Sequence, residues 1–103
     1  MKKIIGLVPA SNNLFKTDLV YEDKYYFINN YIERINEAGA IVSGVLPCSA
    51  YVDEETLSLY DAFILSGGGK IHPYHLQVVD YAVKNNKPLL GICMGMQTLA
   101  IYF

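Results

Sequence analysis

A chain of 103 residues with 52% hydrophobic and 17% charged side chains has the composition of a folded unit and not of a disordered one, and it is long enough for one domain or part of one. Eight Lys and Arg against ten Asp and Glu leave a formal charge of -2, so no basic field is available to hold a phosphate backbone and nucleic acid is excluded as a partner. No run approaches the roughly 18 apolar residues needed to cross a bilayer, so a soluble, cytoplasmic protein without a membrane partner is expected.

The opening M-K-K-I-I-G-L-V-P sets two lysines before an apolar run, as a signal peptide does. Gly6 and Pro9 break that run, and no small-residue cleavage site follows. Lys2 to Val8 reads instead as a short strand covered on both faces. Pro9 to Asp23 is polar and irregular. From Tyr25 to Ala38, Phe27, Ile28, Tyr31, Ile32 and Ile35 recur at helical spacing, and Gly39 supplies the stop. Ile41 to Leu46 is a second strand closed by Pro47, and Asp53 is a plausible cap for a short helix through Leu59. Asp61 to Leu65 is a third strand that runs into Ser66-Gly67-Gly68-Gly69. Pro73 opens a helix whose covered positions are Leu76, Val79, Tyr81, Ala82 and Val83, and Asn85-Asn86 ends it. Pro88 to Ile92 is a fourth strand, and a helix starts at Met94. Strand and helix alternate throughout, without an internal repeat or linker. The fold class is therefore α/β, a flavodoxin-like doubly wound parallel sheet with right-handed crossovers, in one unit spanning residues 1–103.

In such sheets ligands gather at the carboxyl ends of the strands. Both glycine-rich turns, Ser66 to Gly69 and G-I-C-M-G at Gly91 to Gly95, fall at those ends. The second resembles the strained strand-to-helix elbow G-x-S-x-G, with Cys93 in place of serine and Gly91 and Gly95 permitting the tight turn. A helix starting at Met94 would aim its amide dipoles at the sulfur and favour the thiolate. Attack on a carbonyl also needs donors for the oxygen that turns negative. The Met94 N–H is one natural donor, and the Gly67-Gly68-Gly69 turn would supply the second. A free cysteine can also be a small buried hydrophobe; what raises Cys93 above that is its place between an apolar strand and a helix, opposite a glycine turn. The triple glycine could equally bind phosphate, although neither G-K-[ST] nor G-x-G-x-x-G leads into a helix. Cys48, in L-P-C-S-A, reads as structural, and His72 and His75 as exposed loop and first-turn residues. Two cysteines make neither a disulfide framework nor a metal cluster, so no metal is expected.

At K-I-I-G-L-V-P, N-E-A-G-A, V-L-P, D-A-F-I-L-S-G-G-G and N-N-K-P-L-L-G-I-C-M-G-M-Q, the sequence resembles the class I glutamine amidotransferase superfamily, in particular its γ-glutamyl-γ-aminobutyrate hydrolase branch. The resemblance implies that Cys93 forms a γ-glutamyl thioester, that Gly68 and Met94 supply oxyanion amides, and that Gly67 and Gly69 shape the turn. The implied reaction is hydrolysis of a small γ-glutamyl amide to glutamate and an amine or ammonia, without a cofactor. The chain departs from the branch pattern at Lys70 and His72, where acidic residues are usual, and at Met94, where Arg is common.

The resemblance also implies a base, a His with a Glu two residues on, from the second half of the domain. These 103 residues would then be the N-terminal half, expected to self-associate or to be poorly stable alone. Two other readings stay open: a non-catalytic interaction protein that pairs with a complementary chain, and a cofactor binder on the same architecture.

Overall fold

In a computed structural model of the chain, residues 2–11, 25–48, 50–66, 71–92 and 94–103 are described. The centre is β1 (Ile4–Val8), which pairs in parallel with β4 (Ile41–Gly44) on one side and with β5 (Ala62–Leu65) on the other; β6 (Leu89–Gly91) adds in parallel to β5. The order β4-β1-β5-β6 puts the chain's first long strand between the second and third, which is the flavodoxin-like order expected from the alternation.

Register decides what each face carries. Gly6, Phe63 and Leu89 form one cross-strand row and Val8, Leu65 and Gly91 another, both on one face; Leu7, Ile64 and Leu90 form a row on the opposite face. The first face holds the main core. There Val8, Phe63 and Leu65 pack with Val78, Val79 and Ala82 of α3 (Pro73–Lys84), with Leu57 of α2 (Glu54–Leu57), and with Leu99 and Tyr102 of α4 (Met94–Tyr102). Each fully buried Val, Leu or Phe contributes about 1.5–3 kcal/mol, so this layer dominates stability. The second face is covered over β1 and β4 by α1 (Asn29–Glu37), where Leu7, Phe27, Ile32 and Val42 line a shared groove.

Helix ends follow local chemistry. In α1 the N–H groups of Gly39 and Ala40 donate to the carbonyls of Asn36 and Ile35, with Gly39 at φ +87°, the left-handed close that glycine favours. In α3 the same pattern runs from Asn86 to Val83 and from Lys87 to Ala82, and asparagine takes the positive φ of 54°. Asn85-Asn86 is thus a stop signal of the same type.

Two expectations are corrected. The helix foreseen from Tyr25 begins only at Asn29, because Tyr25–Tyr26 forms β3, which pairs antiparallel with β2 (Ala10–Ser11). An edge-on contact of Tyr25 with Tyr74, ring centroids 5.9 Å apart, holds that strand against the core. The short helix foreseen through Leu59 stops at Leu57, and the two residues after it form an exposed turn.

The stretch before α2 is docked by one side chain. Gln77 accepts from the Val52 N–H through Oε1 at 2.8 Å and donates through Nε2 to the Val52 carbonyl at 2.7 Å. The amide thereby imitates a strand partner for a buried residue. Gln77→Met should cost about 2–4 kcal/mol, because it strands two buried backbone groups, as a urea titration would register; a cost under about 0.5 kcal/mol, the usual range for a surface change, would show that the clasp contributes nothing.

Candidate active site

β5 and β6 end together. Leu65 pairs with Gly91, and one residue later the Ile92 N–H still donates to the Leu65 carbonyl at 3.0 Å. Residues 66 and 92 therefore leave the sheet about one strand spacing, roughly 4.8 Å, apart. They lead in sequence to the two glycine-rich segments.

The chain then reverses over its own strand into α4, which Met94 opens and whose Gly95 N–H donates to the Ile92 carbonyl at 3.0 Å. A Cβ on Gly91 would stand 2.6 Å from the Gly95 carbonyl carbon and 2.8 Å from the Met96 nitrogen. A Cβ on Gly95 would overlap the Leu65 carbonyl oxygen and lie 2.8 Å from the Leu65 Cβ. These contacts are backbone to backbone or to a fully buried side chain, so nothing can swing aside. The crossing needs glycine at both positions.

Ser66 and the start of α3 are tied to the end of β1. The Ser66 Oγ donates to the Val8 carbonyl at 2.8 Å, and its N–H reaches the same oxygen at 3.4 Å. The next carbonyl, that of Pro9, accepts from the Tyr74 hydroxyl at 2.7 Å and lies 3.0 Å from His75 Nε2. His75 Nδ1 accepts from the His72 N–H at 2.9 Å. With Nδ1 an acceptor, the neutral ring carries its proton on Nε2 and donates it to Pro9. Burial pushes the His75 pKa down to about 4 and, with Tyr25 adding a smaller effect, pushes the Tyr74 hydroxyl well above its usual range. Both side chains stay neutral at physiological pH.

The expected site residues divide accordingly. Gly91 and Gly95 sit at the crossing, and Met94 is the first residue of α4. Cys93, Gly67, Gly68 and Gly69 lie outside the described residues, as does Lys70. His75, expected to be exposed, is fully buried, and His72 is half-buried beside it, its ring stacked on Tyr74 at 5.7 Å. The signal was present in the spacing: His75, Val79 and Ala82 fall at i, i+4 and i+7, so His75 belongs to the buried stripe of α3. Cys48, read as structural, is exposed, in a bridge with Tyr51. Among the described residues no three His, Cys, Asp or Glu are grouped to hold a metal ion, and no helix is long and apolar enough to cross a membrane.

At one strand end of a parallel α/β sheet the chain thus crosses into a helix too tightly for a Cβ at Gly91 or Gly95. The family model for class-I glutamine amidotransferases matches residues 20–103, and the chain belongs to that family. It is 26% identical to the glutamine amidotransferase-like protein YvdE of Lactococcus lactis subsp. lactis, over 97% of this chain and 51% of that protein. It is 36% identical to the CTP synthase of Thermosipho africanus, over 92% of this chain and 20% of that enzyme. A third relative, the glutamine amidotransferase-like protein RP404 of Rickettsia prowazekii, is 28% identical over 99% of this chain and 44% of that protein. The chain thus spans about half or less of the length of these three relatives.

The crossing and the buried histidine each give an expected outcome. Gly95→Ala should lower stability by about 1–3 kcal/mol, the range for forced overpacking, and a variant that melts with the parent protein would show that α4 can move off the strand. His75 takes up a proton more readily unfolded, near 6.5, than folded, near 4. Its contribution is therefore complete above about pH 6.5 and is lost as pH falls toward 4, up to about 3 kcal/mol. Urea midpoints followed from pH 7 to 4.5 should show that slope and lose most of it in His75→Gln; an equal slope in the variant would place the acid sensitivity elsewhere.

Proposed function

We propose that residues 1–103 form the N-terminal part of one glutamine amidotransferase-type domain whose nucleophile is Cys93, and that the domain hydrolyses a small γ-glutamyl amide. The observation that carries this reading is the crossing at Gly91 and Gly95, which has the geometry an elbow nucleophile between them requires. Family membership over residues 20–103 supports it.

In this reading the Cys93 thiolate attacks the γ-carbonyl carbon, and the oxygen takes the negative charge facing the N–H groups of Gly68 and Met94, with Gly67 and Gly69 keeping that turn clear of side chains. The C–N bond then breaks, the amine leaves with a proton, and a γ-glutamyl thioester remains. Water attacks the thioester, releasing glutamate and restoring the thiolate. Each oxyanion donor would lower the barrier by about 3–4 kcal/mol. The His and Glu base implied by the family resemblance would lie beyond residue 103 or on a complementary chain, and no cofactor enters. Both the γ-glutamyl-γ-aminobutyrate hydrolase type and the glutaminase type fit this chemistry.

A second reading is a non-catalytic protein that pairs with a complementary chain. It is favoured by the exposure of Met96 and Ile101 on α4 and of Leu90 on the opposite face of edge strand β6, at 62%, 63% and 55%, apolar side chains that a complementary chain would cover.

The two readings part on Cys93. Full-length protein treated with a γ-glutamyl chloromethyl ketone should gain one adduct on the Cys93 peptide, as its sulfur displaces chloride, while exposed Cys48 reacts only with iodoacetamide. Cys93→Ala should lose the adduct and at least about 10⁴-fold of any glutamine or γ-glutamyl-γ-aminobutyrate hydrolysis. Equal labelling of both cysteines by the ketone would sink the catalytic reading and favour the second. The ratio of kcat/KM for the two amides assigns the branch.

A further inference from the structure

We propose that Ser66, Tyr74 and His75 are positioning residues that fix the two ends of the glycine-rich segment 67–70 against the end of β1. The inference rests on the reading above, in which Gly68 supplies an oxyanion donor.

The geometry is specific to those ends. Ser66, which immediately precedes the turn, is fully buried and places two donors on the Val8 carbonyl. His72, two residues after the turn, donates its N–H to His75 Nδ1 at 2.9 Å. His75 and Tyr74 place their own donors on the Pro9 carbonyl, at 3.0 and 2.7 Å. The four donors thus meet the consecutive carbonyls of Val8 and Pro9, and both ends of the segment 67–70 are referred to these two residues. Val8 is the last residue of β1 in register with β5, and Pro9 has left that ladder. The Pro9 carbonyl is therefore spared from strand pairing with β5 and open to side-chain donors.

A run of three glycines needs such anchoring more than most segments, because glycine has the widest backbone freedom to lose. An oxyanion donor must stand within about 2.7–3.1 Å of the developing charge, and a displacement of about 1 Å costs about 10²-fold in rate. The clamp acts through the turn and need not touch substrate. Its loss should appear in kcat and leave KM nearly unchanged, because the ground-state carbonyl depends less on that donor than the charged intermediate does.

The test uses full-length protein and the variants Tyr74→Phe, His75→Gln and Ser66→Ala, each followed by thermal melting. Tyr74→Phe and Ser66→Ala remove a single oxygen, so they keep the test valid if His75→Gln does not fold. Expected is a loss of about 10- to 100-fold in kcat for the γ-glutamyl amide, with KM within about threefold. Alkylation of Cys93 by the chloromethyl ketone, which passes through a charged oxygen, should slow in parallel, while its alkylation by iodoacetamide, which does not, should keep the parent rate. Variants that match the parent in kcat and ketone alkylation, or that lose both alkylations together, overturn the clamp. A parent protein that forms no ketone adduct overturns the reading of the site and this inference with it.

Discussion

The carbonyls of Val8 and Pro9, at the end of the central strand, are where the rest of the structure is tied together. A parallel strand that stops leaves its last carbonyls to be satisfied by something other than the ladder. Here they are met by Ser66 from the end of β5 and by Tyr74 and His75 from the first turn of α3. One consequence is structural, since three elements share one fixed point. The other is electrostatic. A donor from a charged imidazolium would have to be buried at high cost, so the site holds the ring neutral and uses its second nitrogen to accept from His72. The bonds that cap α3 therefore set the tautomer of the histidine, while its burial keeps the ring neutral.

Beside that point the constraint changes from polar satisfaction to space. The Val8, Leu65 and Gly91 row runs along the face that α4 crosses. Leu65 fills the middle of the row with a buried side chain, and the edge position must be empty for the helix backbone to pass over it. Gly91 and Gly95 give up side-chain packing and gain a turn in which strand and helix backbones nearly touch. Glycine costs about 0.5–1 kcal/mol in a strand or helix relative to alanine. A fold that keeps it at both positions gives up stability for geometry, which is the pattern expected where a turn presents a reactive group.

How much of this was legible in the sequence follows from what each signal consists of. Short β-branched runs such as I-I-G-L-V and A-F-I-L, closed by Gly, Pro or Ser, carry enough residues to show their type, and their alternation with helical spacing carried the sheet order as well. The tight crossing at Gly91 and Gly95 could be read because two glycines four apart after an apolar strand constrain backbone, and backbone constraints survive in a sequence. β3 could not be read, because two residues have no period and Tyr25 and Tyr26 also continue the helical spacing of Phe27 and Ile28. His75 was misjudged by residue type. Its spacing with Val79 and Ala82 placed it on the buried stripe, but a polar residue on such a stripe needs a partner, and that partner, Pro9, is 66 residues away in sequence. Cys48 differed the other way: an apolar-type residue after Pro47 lies exposed, with its backbone bridged to Tyr51.

These two constraints meet at β5. Its last residue, Leu65, lies under Gly95, and the residue after it, Ser66, holds the Val8 carbonyl. Strand β5 therefore fixes both the crossing into α4, by crowding Gly95, and its own exit, by anchoring Ser66. A shift of β5 along its neighbours by one residue would turn Leu65 to the opposite face and break both relations together. Such a slip is opposed by the buried row of Gly6, Phe63 and Leu89 one step earlier, where Phe63 meets Tyr60 and Tyr81 edge-on at 5.5 and 6.1 Å. The aromatic core under the middle of the sheet thus sets the register on which the geometry of its carboxyl edge depends.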